Sequence, residues 1–513
     1  MRVFARNPHS PHRDTLVPVP PNKRAARAIP VAALRAQVES FLAACRQPAL
    51  LEPGETPFPL TADHHALTAR TNGLLVEAWD ETRTLTRRVT AIHEARPGCL
   101  TLAIEKFGGR PGFITMLDLA RPQAAATLQR STREVLREHL RRWLARQFAG
   151  WRVAELTTGP DLEHTLSPSC PRACVVNGDA RWAVIAAPHQ HSDSALTNGL
   201  IWLDYLRRRE APTPIRGLVL FLPCGHETNT LLRLRHLRVE ARLYRYDESG
   251  FEAPIDPEDH GNLLTRLEPW QDSLPEPAEQ QLRRLALEPD VELIPLGPGL
   301  RSLRVRGLEF ARYSAGALHP NQPVEELAVE ARRIAQIRHP DSPVPHHPLL
   351  TRNPEAWLES ILRRNLTLLD AALLPEPVYG QVPALAGVDR GVLDLLAIER
   401  SGRLAVIEIK ASEDQHLPMQ ALDYWIRVAH HAALGEFTTH GYFPGLPVLA
   451  RLPRLILAAP ALDFHPTTET VLSFFESHIP VERIGLGVEW QRTPKVVLRA
   501  RGAERPEWDL TDF

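Results

Sequence analysis

Apolar periodicity divides the 513-residue chain into segments of different character. Residues 1–29, rich in proline and arginine, carry no period and read as a flexible arm. Residues 30–46 (PVAALRAQVESFLAACR) space apolar side chains as a helix does. From about Ala66 to Leu119 the chain changes to short alternating runs such as GLLVEAWD, CLTLAIEKF and GFITMLDL. Turn signals (Asp-Glu, Arg-Pro-Gly, Gly-Gly-Arg-Pro-Gly) separate these runs, which predicts an antiparallel meander. A strongly basic helix is expected from Arg130 to Phe148. Residues 251–350 are dense in proline and read as a connector with one hairpin near 291–312 and one helix near 323–338. Residues 351–500 are the most regular, running helix, strand hairpin, helix, strand, helix, strand. The expected class is α/β and multidomain: the arm, a β-rich domain over 30–125, a middle domain over 126–250, the connector over 251–350, a mixed sheet flanked by helices over 351–500, and a tail over 501–513.

Charge and composition narrow the function. The 60 basic and 61 acidic residues leave a formal net charge of −1, so any nucleic-acid surface must be a local patch. No apolar run approaches the ~20 residues of a membrane span, and the first residues lack the apolar stretch of a secretory signal. Cys45, Cys99, Cys170, Cys174 and Cys224 are scattered and form no CxxC pair. That argues against a disulfide framework or zinc site and for a reducing cytoplasm. There is no GxxxxGK[ST] loop and no GxSxG elbow. Lysine is rare: only Lys23, Lys106, Lys410 and Lys495 occur, against 56 arginines. Arginine can replace lysine wherever only a solvated charge is needed, so each surviving lysine is a candidate for work that needs a compact, tunable ammonium.

Lys410 lies in the one segment with a chemical signature, Gly391 to Val428. VLDLLAI and RLAVIEIK are apolar β-runs joined by Glu-Arg-Ser-Gly, a hairpin signal. Glu408 and Lys410, two apart, share a strand face. A three-residue loop Arg400-Ser401-Gly402, with Gly402 left-handed, sets Asp394 opposite Glu408. Two facing carboxylates in apolar surroundings repel unless a cation separates them. Mg²⁺ suits that place, because it binds through one or two carboxylates and keeps waters and phosphate as its other ligands.

These residues resemble the PD-(D/E)xK nuclease superfamily, of restriction-endonuclease-like fold, over roughly Asn353 to Gly487, and most closely its NucS-like branch. The resemblance implies that Asp394 and Glu408 ligate Mg²⁺, with Mn²⁺ as substitute, that the Ile409 carbonyl completes the shell, and that Lys410 is the catalytic lysine. It implies a further acid from the first helix, Glu359 or Glu355 with Glu359 preferred, and a supporting role for Gln420 and Tyr424. The leading Pro-Asp of the motif is Leu393-Asp394 here. The expected activity is metal-dependent hydrolysis of phosphodiesters, in DNA rather than RNA, in repair or defence.

The middle segment, 130–245, reads as a degenerate copy of the same domain. RWAVIAAPHQ from Arg181 answers RLAVIEIKAS from Arg403, and GLVLFLP from Gly217 answers RLILAAP from Arg454. Helix Glu134–Arg142 likewise answers Glu355–Arg364. In that alignment Arg172, Ala186 and Pro188 replace Asp394, Glu408 and Lys410, and Glu138 falls at Glu359, so the copy is expected to be catalytically dead. Its helix retains Arg130, Arg133, Arg137, Arg141, Arg142 and Arg146, which either bind nucleic-acid phosphates or form a solvated face. The hairpin Arg301–Arg312 alternates arginine with apolar residues, and whether that stripe tracks phosphates or faces water stays open. The pairs His64/His65, His189/His191, His346/His347 and His430/His431 read as surface histidines, and Cys170 and Cys174 as buried thiols. The competing expectation is a non-catalytic nucleic-acid-binding scaffold, and a homodimer is an open alternative.

Overall fold

The computed structural model describes residues 30–505, except 53–56, 62–63, 71–72, 80–83, 107–109, 162–164, 210–213, 248, 260, 262, 264, 271–273, 345 and 386–391. It divides into two compact units, Met1–Val135 and Leu136–Phe513. The arm and most of the tail lie outside the described residues.

In the first unit, α1 (Val31–Ala44) is followed by β1 (Pro48–Leu51), β2 (Phe58–Pro59), β3 (His65–Arg70), β4 (Gly73–Trp79), β5 (Thr84–Arg96), β6 (Cys99–Lys106) and β7 (Arg110–Asp118). These form one antiparallel sheet in the order β2-β1-β7-β6-β5-β4-β3. The alternation that predicted the meander puts Leu74, Val76, Val89, Leu102 and Ile104 on one face. There they bury Leu34 and Val38 of α1. The basic helix α2 (Pro122–Gln147) starts eight residues earlier than expected, because PQAAATLQ supplies a proline at the start and then good helix formers.

The second unit holds two sheets of the same plan. After α2 come β8 (Arg152–Thr157), β9 (Arg172–Asn177), β10 (Ala180–Ala186), α3 (Ala195–Arg208), β11 (Ile215–Pro223), α4 (Thr228–Leu234), β12 (Glu240–Tyr246) and β13 (Glu252–Ile255). The chain between the copies gives β14 (Arg266–Leu267), α5 (Glu276–Ala286), β15 (Val291–Gly297), β16 (Leu300–Val305), β17 (Leu308–Ser314), β18 (Ala317–His319) and α6 (Val324–Ile337). The C-terminal copy contains α7 (Pro348–Thr351), α8 (Pro354–Arg364), α9 (Leu366–Leu369), β19 (Tyr379–Leu385), β20 (Val392–Ile398), β21 (Leu404–Ile409), α10 (Leu417–Ala433), α11 (Glu436–Thr439), β22 (Arg454–Pro460), α12 (Thr468–Leu472), β23 (Val481–Leu486) and β24 (Val496–Arg501). Strand by strand, β8 to β13 and β19 to β24 repeat one pairing: antiparallel, antiparallel, parallel, parallel, antiparallel. The expected strand hairpin had an extra neighbour on its open side in both copies, β8 and β19, which the apolar pattern did not mark.

The aligned positions in the middle copy shift by one. β9 turns into β10 through Gly178-Asp179, with Asn177 opposite Ala180, whereas β20 turns into β21 through three residues. One residue fewer in the turn moves β10 by one position, so Ile185, not Ala186, lies opposite Arg172. By the same alternation Ala187, not Pro188, corresponds to Lys410. The copy still has no carboxylate at these positions.

The two copies share one core. Leu196, Leu200 and Trp202 of α3 belong to the same buried cluster as Leu422, Trp425 and Val428 of α10. The contacts are reciprocal: α3 meets α12 and α10 meets α4. At the crossing point Leu237 pairs with Phe475, Arg238 N donates to the Phe474 carbonyl and Glu476 N to the His236 carbonyl. Such self-matching contact is what a two-fold dimer interface looks like, here made by one chain. Arg233 of α4 bonds Asp423 of α10 through both guanidinium arms, at 2.8 and 2.7 Å, and is buried.

The segment expected to be a connector is a folded layer. β15 to β18 form an antiparallel sheet whose Leu303, Ala311 and Tyr313 pack on α5 and α6, and β14 joins the edge of the C-terminal sheet beside β19. Some of its prolines stand at helix starts (Pro275 before α5, Pro323 before α6), where the missing N–H costs nothing. No helix among the described residues is long and apolar enough to cross a membrane.

Asp423→Ala would leave the buried Arg233 guanidinium without its carboxylate, and we expect a loss of about 3–5 kcal/mol. The paired replacement Arg233→Met with Asp423→Leu should recover most of it in urea melts. A single variant as stable as wild type would show that this pair does not hold the copies together.

Candidate functional site

The geometry of the site begins in the β20–β21 turn. Gly402 N donates to the Glu399 carbonyl at 2.9 Å and Glu399 N to the Arg403 carbonyl at 2.8 Å, which closes the three-residue loop. Gly402 has φ +87°, and a Cβ there would lie 2.3 Å from the Pro447 carbonyl oxygen, so glycine is required on both counts. Leu395 pairs with Ile407, Leu396 with Val406 and Ile398 with Leu404. One step further this register sets Asp394 opposite Glu408. Both are in phase with Leu396, Ile398, Leu404 and Val406, which pack under α10.

Both acids are held where a charge is disfavoured. Glu408 is 1% exposed, and its Oε2, cut off from solvent, accepts no hydrogen bond. Burial raises its pKa well above the usual carboxylate range, and Asp394 raises it further. Burial likewise pushes Asp394 up to about 7, opposed by the Ile409 N–H, which donates to Asp394 Oδ2 at 2.8 Å. Lys410 Nζ stands 3.8 Å from Glu355 Oε2 and 3.9 Å from Asp414 Oδ2 and favours the charged form of both Asp394 and Glu408.

The remaining expected residues surround this pair from two sides. Glu359 on α8 accepts from Arg363 at 2.6 Å, lies 3.7 Å from Arg304, and its charge raises the Asp394 pKa. Glu355, one turn earlier, is more exposed and is the acid that meets Lys410. From the other side Tyr424 on α10 has its phenol pKa raised by burial and then by Glu408 and Asp394, while a hydrogen bond with Gln420 opposes the rise. Gln420 and Tyr424 also line a second cavity of about 370 Å³ between α10 and α4, beside Arg233.

Asp394 and Ile409 open into a cleft of about 480 Å³ whose other wall was not anticipated as part of the site. That wall is the β16–β17 hairpin, with Arg304, Glu309 and Arg312, and the approach to α8, with Arg352 and Asn353. The alternating hairpin is no solvated stripe, since Arg301 and Arg304 are each 5% exposed. Only its alternation was visible in the sequence, because the contact that makes it a wall spans some 50 residues.

The basic helix is partly neutralised. Arg141 and Arg142 both reach Glu138, and Arg146 bonds the buried Glu252. Glu138 faces solvent (side chain 40% exposed) where Glu359 is enclosed (9%). Arg137 and Arg133 lie one and two turns earlier, and the side chain of Arg130 lies outside the described residues. Cys170 and Cys174 are buried, and burial pushes the Cys170 thiol up to about 12. His431 is a correction: it is 3% exposed, between Thr265 and Glu436, because α10 carries it under the β14 segment.

No protein-family model matches the chain, and no curated protein matches it. Among the described residues no group of three or more His, Cys, Asp or Glu forms a ready metal cage. Two carboxylates suffice for Mg²⁺, however, and the acids here have the right chemistry: hard oxygens, one unpartnered, both with pKa values raised mainly by burial.

A carboxyl whose folded pKa lies above its unfolded value stabilises the protein at low pH, and that contribution disappears as pH rises through the folded value. With Asp394 near 7 against 3.8, the loss by pH 8 is at most about 4 kcal/mol. Melting in EDTA at pH 5 and pH 8 checks this: Asp394→Asn should be more stable than wild type at pH 8 and should shrink the difference between the two pH values. Equal melting temperatures for the two proteins at pH 8 would rule out a strained carboxyl here.

Proposed function

We propose that this chain is a metal-dependent nuclease that hydrolyses phosphodiester bonds, in DNA rather than RNA, with the degenerate copy serving as structural partner and nucleic-acid-binding surface. One observation carries the reading: the buried Glu408 and the half-buried Asp394 face each other across β20 and β21 beside a lysine, Asp394 opens into a cleft, and one oxygen of Glu408 is left without a partner. Asp394, Glu408 and the Ile409 carbonyl would hold Mg²⁺, or Mn²⁺ in its place, and the ion when bound would offset charge on the attacked phosphate and acidify a water. Lys410 would orient the attacking water and stabilise negative charge building on the phosphate oxygens. Glu355 and Asp414 fix the lysine from two sides, and Arg363 and Arg304 hold Glu359 against the cleft. Tyr424, hydrogen-bonded to Gln420, lies on the α10 side of the pair and feels the charge of Glu408 and Asp394. As an enzyme of the PD-(D/E)xK kind, of the restriction-endonuclease-like fold, it would act in the cytoplasm in repair or defence. The same-plan sheets support that fold assignment.

A non-catalytic nucleic-acid-binding scaffold is the second reading, favoured by the lack of a three-ligand cage among the described residues. Two measurements separate them. Millimolar Mg²⁺ or Mn²⁺ should raise the melting temperature of wild type but not of Glu408→Gln. Lys410→Ala should cut strand cleavage about 10²–10³-fold while leaving oligonucleotide binding intact. Wild type and Lys410→Ala equally inert on supercoiled, linear and branched DNA would remove catalysis from consideration.

A further inference from the structure

The cleft holds two groups that the hydrolytic chemistry leaves unused, Arg312 and Arg352. Arg312 projects from β17 and is gripped by Glu309 through two bonds of 2.9 Å, yet remains 47% exposed. An exposed pair of this kind contributes little stability and exchanges its anion readily. Arg352 is exposed at the mouth of the cleft, before α8, and has no carboxylate partner among the described residues.

The wall that carries Arg312 is rigidly seated against α8. The β16–β17 turn is Arg306-Gly307, both at positive φ (+45° and +78°), and a Cβ on Gly307 would stand 1.9 Å from the Ala356 carbonyl oxygen of α8. Arg306 donates to the Ala335 and Arg338 carbonyls and to Asp290. Arg338, fully buried over the Trp357 ring, donates to the carbonyls of Arg306, Leu349, Arg352 and Asn353. Hairpin, Arg352 backbone and helix start are therefore tied into one body. Guanidinium forks held in fixed places suit the paired oxygens of a phosphate better than ammonium groups do.

We propose that Arg312 and Arg352 form a subsite for a phosphate of the nucleic-acid strand next to the one attacked at Asp394 and Glu408. The strand phosphate displaces Glu309 from Arg312, and Glu309 keeps its hydrogen bond from Ser302 Oγ (2.6 Å). Arg304, buried and shared between Ser302 and Glu359, stays a wall residue and does not take part. This subsite rests on the nuclease reading, and it gives the cleft a polarity: the strand runs from the acids toward the start of α8.

The test measures binding apart from cleavage. In an Asp394→Asn background, anisotropy of a fluorescent oligonucleotide is followed against KCl for the unmodified cleft, for Arg312→Gln with Arg352→Gln, and for Arg283→Gln. Arg283 is an exposed arginine of α5 outside the cleft. The double variant should bind at least tenfold more weakly, with a salt slope shallower by about one, and Arg283→Gln should match the unmodified cleft. Both variants change exposed side chains, and matching melting curves verify the fold. Superimposable titrations for the double variant, or an equal loss with Arg283→Gln, would overturn the subsite. With Asp394 restored, the double variant should raise KM with kcat little changed, and an unchanged KM in an active enzyme would also overturn it. If the titrations behave as expected but wild type cleaves nothing, the phosphate subsite stands and the nuclease reading falls.

Discussion

The register of one β-hairpin decides which side chains meet at the candidate site. In the C-terminal copy three residues closed by Gly402 set Asp394 and Glu408 side by side on one face. In the middle copy a two-residue turn sets Arg172 against Ile185. Side-chain direction alternates with every residue, so a turn shorter by one residue changes which pairs can meet. Burial and the surplus of neighbouring acids over the single Lys410 make the acid pair resist ionising, an arrangement that costs stability unless something more positive enters. A site of that kind persists only because its scaffold is strong enough to hold it.

That strength comes from duplication. The C-terminal sheet buries one face under α8 and the other under α10, and α10 is itself covered by α3 and α4 of the middle copy. A chain carrying both halves of a two-fold assembly has no association entropy to overcome. The middle copy keeps its part of the shared core without a carboxylate at the positions that answer Asp394 and Glu408. Arg172 illustrates the difference: it lies over the Trp202 ring and donates to the carbonyls of Ser167 and Gly159, so that a structural cation stands where the C-terminal copy has Asp394.

Arginine is used throughout as a fastener, with Arg338 on four carbonyls, Arg454 on three carboxylates and Arg483 on two carbonyls and Glu469. The scarcity of lysine therefore reflects chemistry as well as bias. A planar fork that cannot lose its proton reaches several acceptors at once, whereas Lys410 sits among four acids as a single compact charge.

Local patterning was enough to reveal the meander, the two related copies, the hairpin and the pairing of Asp394 with Glu408, since each depends on alternation or on a turn within about twenty residues. It also singled out Lys410, by rarity and by position. The one-residue slip in the middle copy escaped it, because an alignment of letters cannot see how many residues a turn consumes. The strands β8, β14 and β19 and the role of the segment 251–350 escaped it too. Proline density suggested a connector, and only packing of Leu303, Ala311 and Tyr313 on two helices shows it to be a layer. The amino-acid order by itself determined which residues can face one another across a hairpin. The tertiary structure alone decided what surrounds them, because the cleft wall, the burial that raises the acid pKa values and the covering of α10 all arise from contacts between residues far apart in the chain.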